Sequence, residues 1–288
     1  MKSDDSLRCA SDSFTSSIVF LDKYREMPEA PEVRIMVERY LKPYVGATMK
    51  HFRIVSGRYK KHGFPSLYHS LENHMPLRIS KVGTKGKASW IELEGSKGVW
   101  YAIYITLGMT GHYKKEASKH THYHFITNRG TIYLEDMRNF GTIRIFNKKE
   151  ELQNKIDSLG LDFFSKKEAT WKHFYEIWTV MNPKMLVCDA LMDQERFAGI
   201  GNYIRAEVMY RSRINPFRPI GTLQREEVRR LYRAIMNIMK ESYEEQKQYG
   251  LLENTFYVYM QQETNKGERV ERTPWKGRSI WWVPSVQH

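Results

Sequence analysis

Leu191-Met192-Asp193-Gln194-Glu195-Arg196-Phe197-Ala198-Gly199-Ile200-Gly201-Asn202-Tyr203-Ile204-Arg205-Ala206-Glu207 reads as two helical segments meeting at a Gly-x-Gly-Asn turn. Glycines let the backbone come close to a ligand, and the free amides at the start of the next helix form an anion site suited to a phosphate. Taken alone, the turn is equally a helix-loop-helix with a glycine C-cap. What surrounds it in the chain has to decide.

Working outward, apolar spacing after Lys148 predicts helices over 149–157, 166–181, 184–193, 203–211 and 223–247, followed by strand-like segments around 256–260 and 279–283. Residues 47–146 instead alternate over strand lengths at 49–55, 77–82, 88–93, 99–106, 123–127, 131–135 and 142–146. Turns such as Glu94-Gly95-Ser96-Lys97-Gly98 and Asn128-Arg129-Gly130 separate some of them. Val33, Met36, Val37, Tyr40, Leu41 and Tyr44 predict a helix ahead of the strands, stopped by Pro43 and Gly46. This is an α+β plan: an N-terminal helix plus an antiparallel β-sandwich, then a helical half with a terminal hairpin, and a cleft between them suited to a basic groove.

The 288 residues are 41% hydrophobic and carry a formal charge of +13, enough apolar material for two cored domains and an excess that fits a polyanionic partner, most often nucleic acid. Residues 1–26 hold four basic against five acidic side chains, so the basic excess lies in the remainder. With Cys9 and Cys188 alone, neither a disulfide framework nor a thiolate zinc site can be built, and a reducing compartment is expected. No apolar run reaches membrane-spanning length. The Ser- and Asp-rich residues 1–26 read as a mobile leader or the product of an unused upstream start.

Met27-Pro28-Glu29-Ala30-Pro31-Glu32-Val33 reads like the start of a protein. It is also an ordinary helix start, with proline near the first position and acidic groups at the positive end of the dipole. A chain-terminal proline carries a nucleophilic secondary amine, whereas an internal one is an amide. Attack of that amine on a sugar C1′ gives an iminium that keeps its charge and serves as an electron sink, and Glu29 would lie beside it as a positioned acid or base.

The heptad resembles the N-terminus of the formamidopyrimidine-DNA glycosylase and endonuclease VIII family, and the 191–207 run resembles that family's helix-two-turns-helix element. The resemblance extends over residues 27–288. It implies that Pro28, Glu29, Glu32 and Lys87 are catalytic, Lys87 following Gly86 before a strand. It implies that Lys184, Asn202 and Arg278 bind DNA. Leu107-Gly108-Met109-Thr110-Gly111 and Asp136-Met137-Arg138-Asn139-Phe140-Gly141 resemble the loops whose Met109, Arg138 and Phe140 would fill the gap left by an extruded base. Asn139 and Met137 depart from the common pattern, which has a second arginine and a proline there. Met and Phe are usually core residues, and only the joint, ordered appearance of the two loops favours function over packing.

Most relatives fold the C-terminal hairpin around a four-cysteine zinc. Here Lys276-Gly277-Arg278-Ser279-Ile280-Trp281-Trp282 and the segment before it supply no cysteine or histidine, so the resemblance implies a zincless finger packed by Tyr257, Tyr259, Trp275, Trp281 and Trp282. His120, His122 and His124 alternate along a predicted strand at a spacing that can hold a metal, and a structural hydrogen-bonding role is favoured. No metal and no cofactor are expected.

The implied function is a bifunctional DNA glycosylase and abasic-site lyase of base excision repair, acting by β,δ-elimination on oxidised pyrimidines and hydantoins. The expected partners are double-stranded DNA with oxidised bases or abasic sites and, further, single-stranded DNA, met by a monomer wherever DNA is held in the cell. The expected division is a leader (1–26), a catalytic β-sandwich domain (27–148), a helix-two-turns-helix domain (149–251) and the zincless finger (252–288). If residues 1–26 are retained, the alternative is a non-catalytic protein that recognises damaged or bent DNA.

Overall fold

A computed structural model describes residues 28–249 and 256–288. The leader, Met27, Cys9 and the expected boundary at 251/252 lie outside the described residues.

The first helix, α1 (Ala30–Met36), buries Val33 and Met36 and runs on through a π-turn over Val37–Leu41 and a 3-10 turn over Lys42–Tyr44. Pro43 has no amide to continue the ladder and crowds the carbonyl four residues earlier, so the helix loosens and ends here. Eight strands follow: β1 (Thr48–Ile54), β2 (Leu77–Lys85), β3 (Ala88–Glu94), β4 (Trp100–Thr106), β5 (Gly111–Lys114), β6 (Thr121–Thr127), β7 (Gly130–Asp136) and β8 (Thr142–Phe146). They form one antiparallel sheet in the order β5-β7-β6-β1-β2-β3-β4-β8, which does not close. β1 and β2 are joined by only two residue pairs, Thr48 with Arg78 and Met49 with Leu77. The sheet therefore divides into two four-stranded leaves. Phe52 and Phe125 from one leaf and Ile91 and Ile103 from the other share a single apolar cluster with Val33 and Leu41, giving the sandwich core.

Alternating burial along β6 follows from one dry face. β4 is buried on both faces because Leu152 of a helix over Lys149–Asp157 packs with Trp90, Trp100, Tyr104 and Phe146 on its outer side. Two short helices, Arg58–His62 and Tyr68–His74, and strand β5 were not legible in the sequence, being too short or too polar for periodicity to show.

The helical half departs from expectation at its edges. The helix expected at 166–181 covers only Trp171–Val180, where the Thr170 hydroxyl accepts the His173 amide and sets the start. That expected at 184–193 shortens to Val187–Ala190. The two long helices, called here α2 (Asn202–Ser212) and α3 (Arg225–Tyr249), bury Val208 and Met209 against Leu231, Ile235 and Ile238. Among the described residues no helix is long and apolar enough to cross a membrane.

The hairpin pairs Glu271–Trp275 with Arg278–Trp282 across a Lys276-Gly277 turn in which both residues have positive φ. Residues 256–260 are not a strand. Their amides are taken by the buried Glu207 of α2, which accepts Val258 N at 3.0 Å, Tyr259 N at 2.9 Å and Tyr257 N at 3.1 Å. Further ties come from Trp275 Nε1 to Asp189 at 2.9 Å and Gln287 Nε2 to the Ile214 carbonyl at 3.0 Å, with Val258, Ile280 and Val283 buried in the helical core. Phe217 meets the rings of Trp275 and Trp282 edge-on, and Tyr259 meets Trp281. These residues do not suit a zinc ion, having no thiolate or imidazole between Phe256 and Gln287.

Glu207→Ala would orphan the buried Val258 and Tyr259 amides at about 1–3 kcal/mol each, and the partly buried Tyr257 amide besides. The expected loss is about 3 kcal/mol or more, read as a Tm lower by roughly 6–12 °C. An unchanged Tm would show that the hairpin is held by its apolar contacts alone.

Candidate active site

Glu29 precedes α1, and its backbone amide is held by Glu32 Oε2 at 2.8 Å, a capping arrangement that fixes both acids at the helix start. Its carboxylate reaches across to the other half of the molecule. Oε2 accepts Gly201 N at 2.6 Å and Ile204 N at 3.3 Å, and Oε1 accepts Tyr203 N at 3.0 Å. The helix-start amides that the sequence suggested for a phosphate are thus occupied by a protein carboxylate, which the α2 dipole favours in the same way.

Two close approaches make this possible. A Cβ on Gly201 would meet the Glu29 carboxyl carbon at 2.2 Å and Lys87 Nζ at 2.5 Å. A Cβ on Gly86 would meet Gly199 N at 2.8 Å, so the turn carrying Lys87 lies flat on the Gly-x-Gly turn. Ala30 N adds a hydrogen bond to the Gly199 carbonyl at 3.1 Å. Pro28 is buried at this junction and Lys87 is partly buried.

Burial raises the Glu29 carboxyl to about 7, opposed by the Lys87 charge and the α2 amides and assisted by Glu32. Burial lowers Lys87, countered by Glu29 and reinforced by Arg278. The pair is driven toward its neutral forms, a pattern found at sites of proton transfer. Glu32 is raised by burial too, but its oxygens are committed: Tyr203 Oη donates to it at 2.9 Å, Gln246 Nε2 donates to it, and Oε2 holds the Glu29 amide. Those bonds fix its carboxylate between the two halves of the molecule. Tyr203 and Gln246 were missed in the sequence because nothing marks a helical Tyr or Gln as aimed at a carboxylate on a distant helix.

Asn202 lies at the start of α2 with its side chain turned to the hairpin, donating to the Ser279 carbonyl at 3.1 Å and accepting from Arg205. Arg205, 3% exposed, also reaches the Cys188 carbonyl at 3.3 Å and the Ser279 carbonyl at 3.4 Å. Arg278, first in its strand, is exposed, and its charge bears on both Lys87 and Arg205. Lys184 is exposed in the Asn182-Pro183-Lys184 turn and forms no ion pair among the described residues.

Met109 sits in the β4–β5 turn, and Arg138 and Phe140 in the β7–β8 loop. Buried Asp136 joins the two, accepting the Thr110 hydroxyl and Gly141 N at 2.7 Å, while Arg138 N donates to Thr110 Oγ1 at 2.9 Å. Met137 and Phe140 are each 52% exposed, and the Arg138 guanidinium lies 5.0 Å from the Phe140 ring. Adjacent exposed apolar side chains on loops fixed from beneath mark a contact surface. His122 helps fix them, bonding the Asp136 carbonyl at 2.9 Å and Ser56 Oγ at 2.7 Å. His124 meets the Tyr133 ring edge-on. Among the described residues no group of three or more His, Cys, Asp or Glu side chains is gathered as a metal site would be.

Residues 27–143 match the family described as the formamidopyrimidine-DNA glycosylase N-terminal domain, and residues 159–251 match its H2TH domain. The formamidopyrimidine-DNA glycosylase of Thermus thermophilus is 33% identical over 222 residues, 76% of each chain. That of Bacillus anthracis is 32% identical over 231 residues, 75% of this chain and 78% of the relative. The crystal structure of the Thermus thermophilus MutM (Fpg) protein superposes with a TM-score of 0.75 at 27% identity, over 90% of this chain and 98% of that one. Lactococcus lactis Fpg in complex with abasic-site DNA shares the fold, with a TM-score of 0.76 at 20% identity over 90% and 99% of the two chains.

Proposed function

This chain belongs to the formamidopyrimidine-DNA glycosylase family, and from that premise we propose that it excises oxidised pyrimidines and hydantoins through a Schiff base on Pro28. Members of the family are DNA glycosylases of base excision repair with abasic-site lyase activity, and this chain is one of them. The observation that carries the mechanism is the Glu29 carboxyl held on the amides of α2, beside Lys87 and next to Pro28.

With the chain cut ahead of Pro28, the free ring nitrogen attacks C1′. The N–C1′ bond forms as the bond to the base breaks, the proton shed by the ring nitrogen leaves with the departing base, and Glu29 delivers a proton to the sugar ring oxygen so that the C1′–O bond breaks and the ring opens to the iminium. The resulting iminium acidifies C2′–H. Loss of that proton expels the 3′ phosphate, and a second elimination expels the 5′ phosphate. Glu32 orients Glu29. Met109, Arg138 and Phe140 occupy the place of the extruded nucleotide, and Lys87, Lys184, Asn202 and Arg278 hold the kinked backbone of duplex DNA.

The preference for pyrimidines and hydantoins rests on the hairpin without metal donors, a feature of endonuclease VIII-like members. The name of the curated relatives points instead to formamidopyrimidines. A chain beginning at Pro28 is therefore to be assayed on duplexes carrying dihydrouracil, guanidinohydantoin, a formamidopyrimidine or 8-oxoguanine. Cleavage of the first two at least tenfold faster than of the purine lesions is expected, with phosphates at both ends of the gap. Faster cleavage of a purine lesion would overturn the substrate assignment and leave the chemistry standing.

A further inference from the structure

A cleft of about 600 Å³ lies between the C-terminal end of α2, the first half of α3 and the loop before the hairpin. The proposed chemistry makes no use of it. Arg211, Arg213, Arg230, Arg233 and Lys266 line it, with Glu268 as its one carboxylate among the described residues. Glu268 is committed to Tyr210 Oη at 2.6 Å and Thr264 Oγ1 at 2.8 Å, and the Tyr210 bond holds its carboxyl below the ordinary range.

The neighbouring acids do little to balance the rest. Arg211 has Glu241 at 2.5 Å. Glu227 is taken by Arg218 through bonds of 2.7 and 3.1 Å, which leaves Arg230 3.8 Å from it. Arg233 meets Glu226 only at 3.9 Å across two mostly exposed side chains. Arg213 and Lys266 have no ion pair within 4.0 Å among the described residues. Cations converging in a hollow repel one another and focus the field on whatever anion enters.

The site is distinct from the catalytic cleft. α2 places Asn202 at one end and Arg211 and Arg213 at the other, an axial separation of about 15 Å. The chemistry of the lining narrows the ligand. Four arginines supply forked donors that match phosphate oxygens, and the volume is that of a small-molecule site. The aromatic rings in the lining are Tyr210 and Tyr257, nearly parallel with centroids 6.3 Å apart, and the Arg211 guanidinium lies 5.0 Å from the Tyr257 centroid, so cations outnumber the rings that could stack on a nucleobase.

We infer that this cleft binds a compact oligophosphate anion with two or more phosphate groups. Calorimetric titration of the full chain with inorganic tripolyphosphate at 150 mM salt tests this. Saturable one-site binding is expected, at least tenfold tighter than orthophosphate, with ATP no tighter than tripolyphosphate. In the double variant Arg233→Glu, Lys266→Glu the affinity should fall at least tenfold, while the Tm and the affinity for an abasic duplex stay unchanged. Absence of saturation, or equal binding by the variant, would overturn the assignment. ATP binding tenfold tighter than tripolyphosphate would make this a nucleotide site instead. Loss of duplex affinity in the variant, with tripolyphosphate displacing duplex, would make the cleft part of the DNA surface and likewise overturn the proposal.

Discussion

A chain beginning at Pro28 is expected to be captured covalently on abasic duplex DNA by borohydride, and the 288-residue chain is expected not to be. Of the groups borohydride reduces, only an iminium leaves protein and DNA joined by a stable amine, so capture reports a C–N bond between an amine and C1′. In the 288-residue chain the Pro28 nitrogen is an amide whose lone pair is delocalised into the Met27 carbonyl, and it cannot attack. The expected difference is all or none. Lys87 is the competing nucleophile: it is partly buried, burial lowers its ammonium toward the neutral form, and it sits against Glu29. Lys87→Met in the chain beginning at Pro28 should therefore still be captured, more slowly if Lys87 positions the phosphate. Equal capture of both chains, abolished by Lys87→Met, would move the Schiff base to the lysine. No capture of either would leave a protein that recognises damaged or bent DNA without cutting it.

Much of this site could be read from the residues in order, and the limits are physical. Alternation and helical spacing located the strands and long helices because one-sided burial imposes those periods. The Gly-x-Gly turn was recognisable as an anion site, since glycine spacing and a helix start are local properties. That its anion would be Glu29, from a helix more than 170 residues away, was not, because long-range pairing leaves no local trace. Glu207 is the same case in reverse. Its capture of three amides turned residues 256–260 from an expected strand into a turn, a tertiary contact overriding β-propensity. Asn202 was legible as a polar residue at a turn, but its use as a tie to Ser279 depends on where the hairpin docks. The cleft of arginines showed in the sequence only as part of the overall basic excess.

Glu29→Gln is expected to slow base excision by about a hundredfold or more, the scale of a positioned general acid, while incision of a preformed abasic site falls by less than tenfold. The amide has no proton to give the ring oxygen, and an abasic sugar, already able to open, needs that proton less. Part of the change is structural. A carboxylate meets the three α2 amides with acceptors only, whereas glutamine turns an NH2 toward one of them, at about 1–3 kcal/mol. Duplex affinity and Tm must accompany the rates, and a split between excision and incision separates lost acid from lost scaffold. The pH dependence follows from the same group. Burial holds the folded carboxyl at about 7, so the proton-bearing form declines, and excision with it, as pH rises through about 7. The folded state keeps this proton above about 4.3, where the unfolded chain releases it. Its contribution to stability is therefore greatest below that value and falls as pH climbs toward 7, a slope that Glu29→Gln should remove. Wild-type excision by Glu29→Gln would place the acid elsewhere and leave the carboxylate as a clamp between the sandwich and the helical half.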